Sequence, residues 1–177
     1  AASREKEQET IIRVYASTIT PLEFLLGKAL VYFAVGMVLA VLVIALGWTL
    51  FGVKITSDPT PLLVSLPLYV LAAVLFGLML GTLASSQTVA VQATSTAGFF
   101  PCLLLSGFVY PIYNIPFPLK LFTVLVPARF FIELCRDTFV RGAGWSAVWT
   151  IPLILIVFCL VYLFGSWLSL RTMQLKD

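Results

Sequence analysis

Three long stretches of this sequence contain no charged side chain. They cover residues 29–53, 59–119 and 142–170. An ionisable group at the centre of a lipid bilayer costs about 2.5 to 3.5 kcal/mol on insertion scales, so such stretches are typical of membrane-spanning segments. A spanning helix needs about 20 apolar residues, which leaves room for one span in the first stretch, two in the second and one in the third. The charge pattern therefore predicts four spans.

The composition excludes most classes of soluble protein. Of the 177 residues, 60% are hydrophobic and 11% are charged, whereas an average globular chain has about 45 to 50% apolar and about 25% charged residues. The chain has no histidine, which removes histidine-based catalytic triads and metal sites. Its three cysteines, Cys102, Cys135 and Cys159, form no C-x-x-C pair. We therefore expect no catalytic residue, no metal site, no resident cofactor and no nucleic-acid partner.

The predicted fold is an all-α integral membrane domain at 21–177, preceded by a cytoplasmic segment at 1–20. Thr20, Pro21 and Glu23 form a capping box that favours a helix start at the first span. Small residues recur every fourth position on the second span (Gly77, Gly81) and on the third, which predicts close packing of helix backbones. The expected span boundaries are about 22–51, 62–84, 89–109 and 145–170.

The third predicted span differs from the others because its first half is polar. Two interpretations fit the side chains at this depth: hydrogen bonding between helices, or the lining of a wet path through the membrane. Both place this span against protein or water, and not against lipid. The polar residues are Gln92, Thr94, Ser95 and Thr96.

The segment 110–144 joins the third and fourth spans and contains too many prolines for one helix. Irregular backbone at membrane depth is tolerated only where protein or water satisfies it, so this segment is expected to form a re-entrant or interfacial helical hairpin. Residues 128–140 within it are typical of a short amphipathic helix. Four charged residues recur there every fourth position, and we expect them to orient the hairpin without binding substrate: Arg129, Glu133, Asp137 and Arg141.

The first twenty residues are the least apolar part of the chain. Glu9 precedes Arg13 by four residues, in the order that stabilises a helix, and apolar residues follow on a neighbouring face. This pattern predicts an amphipathic helix that lies on the membrane surface or docks on a partner; a solvated segment leading into the first span is the alternative. The chain starts without Met or a signal peptide, so we expect it to be the carboxyl-terminal part of a longer protein.

Several motifs resemble the ABC-2 type permeases, the membrane subunits of a class of ATP-binding cassette exporters. Residues 5–10 (EKEQET) and 17–28 (STITPLEFLLGK) are similar to a cytoplasmic segment that reads E-x-G-T, then a Ser/Thr-Pro turn, then E-x-x-x-G-K. Residues 104–116 (LLSGFVYPIYNIP) resemble S-G-x-x-[FY]-P-x-x-x-[ML]-P, and residues 126–136 (VPARFFIELCR) resemble P-x-x-[YF]-x-x-x-x-x-R. Glu9 and Thr18 replace a glycine and a proline of the pattern.

The resemblance implies a permease subunit of six spans, of which this chain holds the last four. ATP and Mg²⁺ would bind to separate ATPase subunits, and a second permease copy would complete a substrate path between them. The polar residues of the third span would line that path. The proline-rich hairpin would close its outer end through Ser106, Gly107, Pro111 and Pro116. The amino-terminal segment would be a coupling helix that contacts the ATPase through Glu5, Glu7, Glu9, Thr10, Arg13 and Tyr15.

The resemblance also implies an orientation. Six basic residues lie on the side of the termini and five on the other side, a weak excess that agrees with both termini in the cytoplasm. The expected location is the cell membrane of a bacterium, as a multi-pass protein of its inner membrane that is surrounded by lipid.

Two other functional classes fit the sequence less well. An intramembrane enzyme needs paired carboxylates, an activated nucleophile or a metal cluster at membrane depth, and the charge-free spans provide none of these. The sequence also lacks the G-x-x-x-x-G-K-[ST] phosphate loop, so ATP hydrolysis is assigned to another chain. A non-transporting membrane scaffold or assembly protein remains as the alternative, but it leaves the polar third span and the hairpin unexplained.

Overall fold

Helices account for all the regular secondary structure in the described part of the chain. The computed structural model describes residues 21–52, 58–109, 111–142 and 144–174. Four of its helical segments are long and apolar enough to cross a membrane: Leu22–Phe51, Thr60–Leu83, Gln87–Leu105 and Trp145–Leu170. The prediction of an all-α membrane domain with four spans is confirmed.

The first two spans are continuous helices. Helix α1 covers Pro21–Phe51 and is followed by Gly52, whose positive φ of 62° is accessible to glycine at little cost. The Gly52 amide donates a hydrogen bond to the carbonyl of Trp48 at 3.1 Å, which satisfies one carbonyl of the last turn. Helix α2 covers Thr60–Leu83 and continues through Pro67.

The third span consists of three helical pieces in a row. Helix α3 (Gln87–Thr94) is followed by a π-helical turn (Ser95–Phe99) and by α4 (Phe100–Leu105). Ser86 caps α3 by accepting a hydrogen bond from the Val89 amide at 3.3 Å. The π turn ends two residues before Pro101, whose ring and missing N–H disturb the preceding turn of an α-helix. The helix ends at Leu105, four residues before the predicted boundary at 109, and Gly107 follows it with a φ of 85°.

The connection between the third and fourth spans is a series of short helices. A 3₁₀ turn at Ile112–Asn114 and helix α5 (Leu119–Phe122) come first, and a second 3₁₀ turn follows α5. Helix α6 (Pro127–Arg136) then continues into a π turn (Asp137–Arg141). Gly142 ends it with a φ of 68°, so this amphipathic helix stops at the predicted glycines. Whether the connection enters the membrane as a re-entrant hairpin stays a prediction.

The fourth span begins with α7 (Trp145–Val148) and continues as α8 (Thr150–Gln174). Helices α2 and α8 pack along each other and form the centre of the bundle, while α1 packs on the outside of this pair. One hydrophobic cluster joins α1, α2 and α8 through Ala29, Ala72, Leu75, Leu78, Cys159 and Tyr162. A second joins α2, α6, α7 and α8 through Leu62, Leu134, Val148, Ile151 and Leu155.

Two glycines allow α2 to approach its neighbours closely. A Cβ atom added at Gly36 of α1 would lie 2.7 Å from Cγ1 of Val70. A Cβ atom added at Gly165 of α8 would lie 2.9 Å from Sδ of Met79. Both distances are shorter than real Cβ contacts, so these positions fit glycine and little else without movement of the neighbour. The sequence patterns did not single out either glycine.

Candidate functional site

A cavity of about 460 Å³ lies between the first three spans. We call it the glycine cavity, because Gly77 and Gly81 of α2 form part of its wall. Tyr32 contributes from α1, and Thr94 contributes from the end of α3. The remaining lining residues are Ala73, Val74, Leu78, Gln87, Ala90, Val91 and Ser95.

The glycine cavity brings together two of the four polar residues predicted to line a path, Thr94 and Ser95. The Thr94 hydroxyl donates a hydrogen bond to the carbonyl of Ala90 at 2.8 Å, so its oxygen keeps lone pairs that can accept another. Gln92 is exposed and is not among the lining residues of this cavity. The structure thus separates Gln92 from two polar residues that follow it closely in the sequence.

The small residues of the second and third spans face each other across this cavity. The expected close packing is therefore incomplete. A Cβ atom added at Gly77 would meet nothing within 4 Å, whereas one at Gly98 would lie 3.4 Å from the ring of Phe76. The two helices approach each other at Gly98 and leave open space at Gly77.

A second cavity of about 490 Å³ lies between the third span and the segment that follows it. We call it the proline cavity, because Pro101 of α4 and Pro116 line it. The walls are otherwise apolar, and their polar groups come from Asn114 and from Thr96, one of the residues predicted to line the path. Thr96 and Pro116 were predicted to serve the path and its outer gate, and the structure brings them into one cavity.

A buried corner follows the third span and is held by a distant arginine. Ser106 and Gly107 are buried, and the Ser106 hydroxyl accepts a hydrogen bond from the Phe108 amide at 3.3 Å. The guanidinium of Arg136, 29 residues further on, donates to the carbonyl of Gly107 at 2.5 Å. Arg136 occurs in one of the family-like motifs but was absent from the predicted sites, because a contact across 29 residues has no local sequence signal. Pro111, the remaining predicted gate residue, is half-buried beyond this corner.

The four charged residues at every fourth position do not act as one row in the structure. Arg141 forms an ion pair with Asp137, with 2.8 Å between Nη1 and Oδ1. Arg129 instead donates to the hydroxyl of Thr123 at 2.6 Å, before the start of α6, and Glu133 is exposed. The π turn that begins at Asp137 changes the helical period and separates the two halves of the row. These contacts tie α6 to its flanking turns, and their predicted orienting role stays a prediction.

Helix α6 is attached firmly to the central pair of spans. Leu134 is fully buried in the second cluster, and the ring of Phe131 stacks on Tyr69 of α2 with 4.3 Å between centroids. Burial raises the pKa of the neighbouring Cys135 thiol to about 11. A thiol with so high a pKa carries little thiolate at neutral pH, so Cys135 is a poor nucleophile. The residues that the structure describes contain no group of three His, Cys, Asp or Glu side chains placed to hold a metal.

The third span is largely uncovered within this chain. Only 6% of its most apolar window is buried, and Gln92, Ser95 and Thr96 are exposed. The expectation that this span faces inward is not met by packing within the described chain. The six predicted coupling residues between Glu5 and Tyr15 lie outside the described residues.

The sequence was compared with known proteins. The model of the ABC-2 type transporter family matches residues 1–140. The probable multidrug ABC transporter permease YbhS of Escherichia coli strain K12 is 29% identical over 155 residues, which cover 88% of this chain and 39% of that protein. The probable multidrug ABC transporter permease YbhR of the same strain is 28% identical over 149 residues, 84% of this chain and 40% of that protein.

A third similar protein is the inner membrane transport permease YhhJ of the same strain, which is 25% identical over 153 residues and of which the chain covers 40%. The chain thus spans about two fifths of the length of these curated relatives. The comparison with solved structures gave no significant match. The family match covers most of the chain, and the four spans agree with it: the chain belongs to the ABC-2 type transporter family.

Proposed function

We propose that this chain forms the last four spans of the permease subunit of an ATP-binding cassette exporter. Family membership and the permease names of its relatives support a role in transport. A second permease copy would face the third span, and separate ATPase subunits would bind and hydrolyse ATP with Mg²⁺. Both termini would lie in the cytoplasm of a bacterial cell, with the short helices between the third and fourth spans at the outer surface.

The observation that carries this proposal is the polar, uncovered surface of the third span. Gln92, Ser95 and Thr96 are exposed on a helix that is apolar enough to cross a membrane. Polar side chains at that depth are costly against lipid and favourable against water or another protein. A second copy that surrounds a wet path together with this surface would satisfy them.

The proposed path passes the π turn of the third span. Thr94 and Ser95 line the glycine cavity on one side of this turn, and Thr96 lines the proline cavity on the other. The corner at Gly107, which Arg136 holds, would act with Pro111 and Pro116 as the outer closure. Rigid-body motion of the spans, driven by ATP hydrolysis, would open the path to each side in turn.

The path assignment is tested with the full-length subunit and its ATPase in lipid nanodiscs. We expect Gln92→Leu and Thr96→Leu to reduce substrate-stimulated ATP hydrolysis, because each removes a hydrogen-bonding group from the path. Thr49→Leu is the matched control, since Thr49 is exposed on the first span and bonds within its own helix at 2.9 Å to the carbonyl of Ala45. Equal hydrolysis in all three variants would contradict the assignment.

The coupling assignment needs a separate experiment. We expect Glu9→Lys and Arg13→Glu to reduce copurification of the ATPase, because the amino-terminal helix would carry the contact. Lys120→Glu is the control at the opposite end of the bundle. If none of the three substitutions changes copurification of the ATPase, the docking role is contradicted. If no tested compound alters ATP hydrolysis by the complex, the scaffold alternative is favoured over the permease.

A further inference from the structure

We propose that the glycine cavity is a binding site, within a single chain, for an uncharged amphiphilic molecule. The molecule would have an apolar body and at least one hydrogen-bonding group. This proposal rests on the proposed transport function and specifies a class of substrate for it. The site would lie at the side of the path, because its wall comes from three spans of one chain and includes the path residues Thr94 and Ser95.

The size of the cavity suits a small molecule. Its volume of about 460 Å³ lies within the range of about 300 to 1,000 Å³ that is usual for small-molecule sites. The exposed side chains of Val91 and Ser95 in its wall leave it open at the surface, so a ligand can enter from outside the chain.

The shape follows from the packing of the first three spans. Helices α1 and α3 each pack on α2, and the cavity lies between them. Gly77 and Gly81 give α2 a flat surface there, and a Cβ atom at Gly77 would find open space. An apolar body can lie on this surface without displacing a side chain.

The chemistry of the wall decides the charge of the ligand. The lining residues within the described chain are all uncharged, so an ion would lose its hydration and gain no partner of opposite charge. The wall is mostly apolar, but Tyr32, Thr94 and Ser95 add hydroxyl groups to it, so it suits an apolar body that also carries a hydrogen-bonding group. The hydroxyls of Tyr32 and Ser95 can donate to a carbonyl of the ligand. The Thr94 hydroxyl already donates to the carbonyl of Ala90, so its oxygen can accept from a ligand that has an N–H or O–H group.

The experiment measures protection of an introduced thiol in the full-length subunit, reconstituted in lipid nanodiscs without ATP or ATPase. Cys102, Cys135 and Cys159 are replaced by alanine, and Gly77→Cys is labelled with N-ethylmaleimide. The neutral dye Nile red is the probe. At about ten times its Kd the dye leaves about a tenth of the sites open, so labelling should slow about tenfold.

Gly47→Cys is the matched control. A Cβ atom at Gly47 also meets nothing within 4 Å, but Gly47 lies on α1 and is not among the residues that line the cavity. We expect Nile red to leave the labelling of Gly47→Cys unchanged. The cationic dye rhodamine 6G and the anionic dye anilinonaphthalene sulfonate should protect neither position.

Two further variants test the same site. Val91→Cys places the thiol on the opposite wall and should be protected like Gly77→Cys, which covers the case that the first variant folds poorly. Gly77→Leu should fill the cavity and abolish the protection of Val91→Cys. The proposal is overturned if Nile red protects all positions equally, protects none, or is matched by either charged dye.

Failure of this site and failure of the proposed transport function give different results. Selective protection without any effect of Nile red on ATP hydrolysis would leave the site standing and would count against transport. The opposite result is that other compounds stimulate ATP hydrolysis while Nile red fails to protect Gly77→Cys. That result would contradict this site and leave the permease assignment intact.

Discussion

The second and fourth spans differ sharply from the first and third in how much of their surface this chain covers. In their most apolar windows, 39% of the second span and 33% of the fourth are buried, against 6% in each of the other two. The central pair also holds α6 through the second hydrophobic cluster. The chain thus consists of a packed pair with two spans at its edge.

The two edge spans differ from each other in what they expose. The first span exposes apolar side chains such as Leu30, Val38 and Val43, which lipid covers at no cost. The third span exposes Gln92, Ser95 and Thr96, which lipid does not satisfy. Low burial therefore has two meanings here: a surface suited to lipid and a surface suited to protein or water.

Removal of a central side chain should have the largest effect on stability. Leu155 is fully buried between α2 and α6, so Leu155→Ala should lower the free energy of unfolding by roughly 2 kcal/mol or more through lost packing. Leu160→Ala on the same helix is the control, because Leu160 is 61% exposed. Thermal unfolding of both variants in nanodiscs measures the difference. Equal losses would show that the central pair is not the stable unit.

The glycine contacts of the second span distinguish its two interfaces. Gly36→Ala should cost about 1 to 3 kcal/mol, because the β-branched Val70 has little freedom to move away. Gly165→Ala should cost less, because the flexible Met79 can adopt another rotamer. The same unfolding measurement compares them. A larger loss of stability in Gly165→Ala than in Gly36→Ala would show that the contact with Met79 is the more rigid one.

The arginine at the corner should have a smaller effect. Arg136→Gln removes the hydrogen bond to the Gly107 carbonyl and should cost about 1 kcal/mol, since Arg136 is itself exposed. Its functional effect should be larger. A loosened outer closure should raise the accessibility of the thiol in Thr96→Cys to a water-soluble reagent. Arg136→Lys should restore part of the contact. Unchanged accessibility in Arg136→Gln would contradict a role in holding the third span.

The edge of the third span should be the least sensitive in stability. Gln92→Leu in the isolated subunit should change the free energy of unfolding by less than about 0.5 kcal/mol, because Gln92 is exposed and lies away from the central clusters. In the complex with a second copy, the same substitution should lower the measured stability. A large loss in the isolated subunit would show that Gln92 packs within its own chain.

The sequence was sufficient for the number of spans and for the amphipathic helix before Gly142, because both depend on local composition and period. It did not predict which spans pack together, since the small-residue pattern pointed to Gly77, which has open space beside it, and not to the close contacts at Gly36 and Gly165. It predicted polar residues on the third span but not their division between two cavities. That division depends on a π turn, and the contact of Arg136 with Gly107 depends on the tertiary fold.

The π turn at Ser95–Phe99 also fixes the angular phase of the third span. Each residue of an α-helix advances the side-chain direction by about 100°, and a π turn contains one residue more than an α turn. Loss of a single residue within this turn would therefore leave an ordinary α turn and keep Pro101 and Leu104 in nearly the same direction relative to Thr94. The same deletion in a regular part of the span would rotate one half against the other by about 100°, so the π turn is the place where this span tolerates a change of one residue in length.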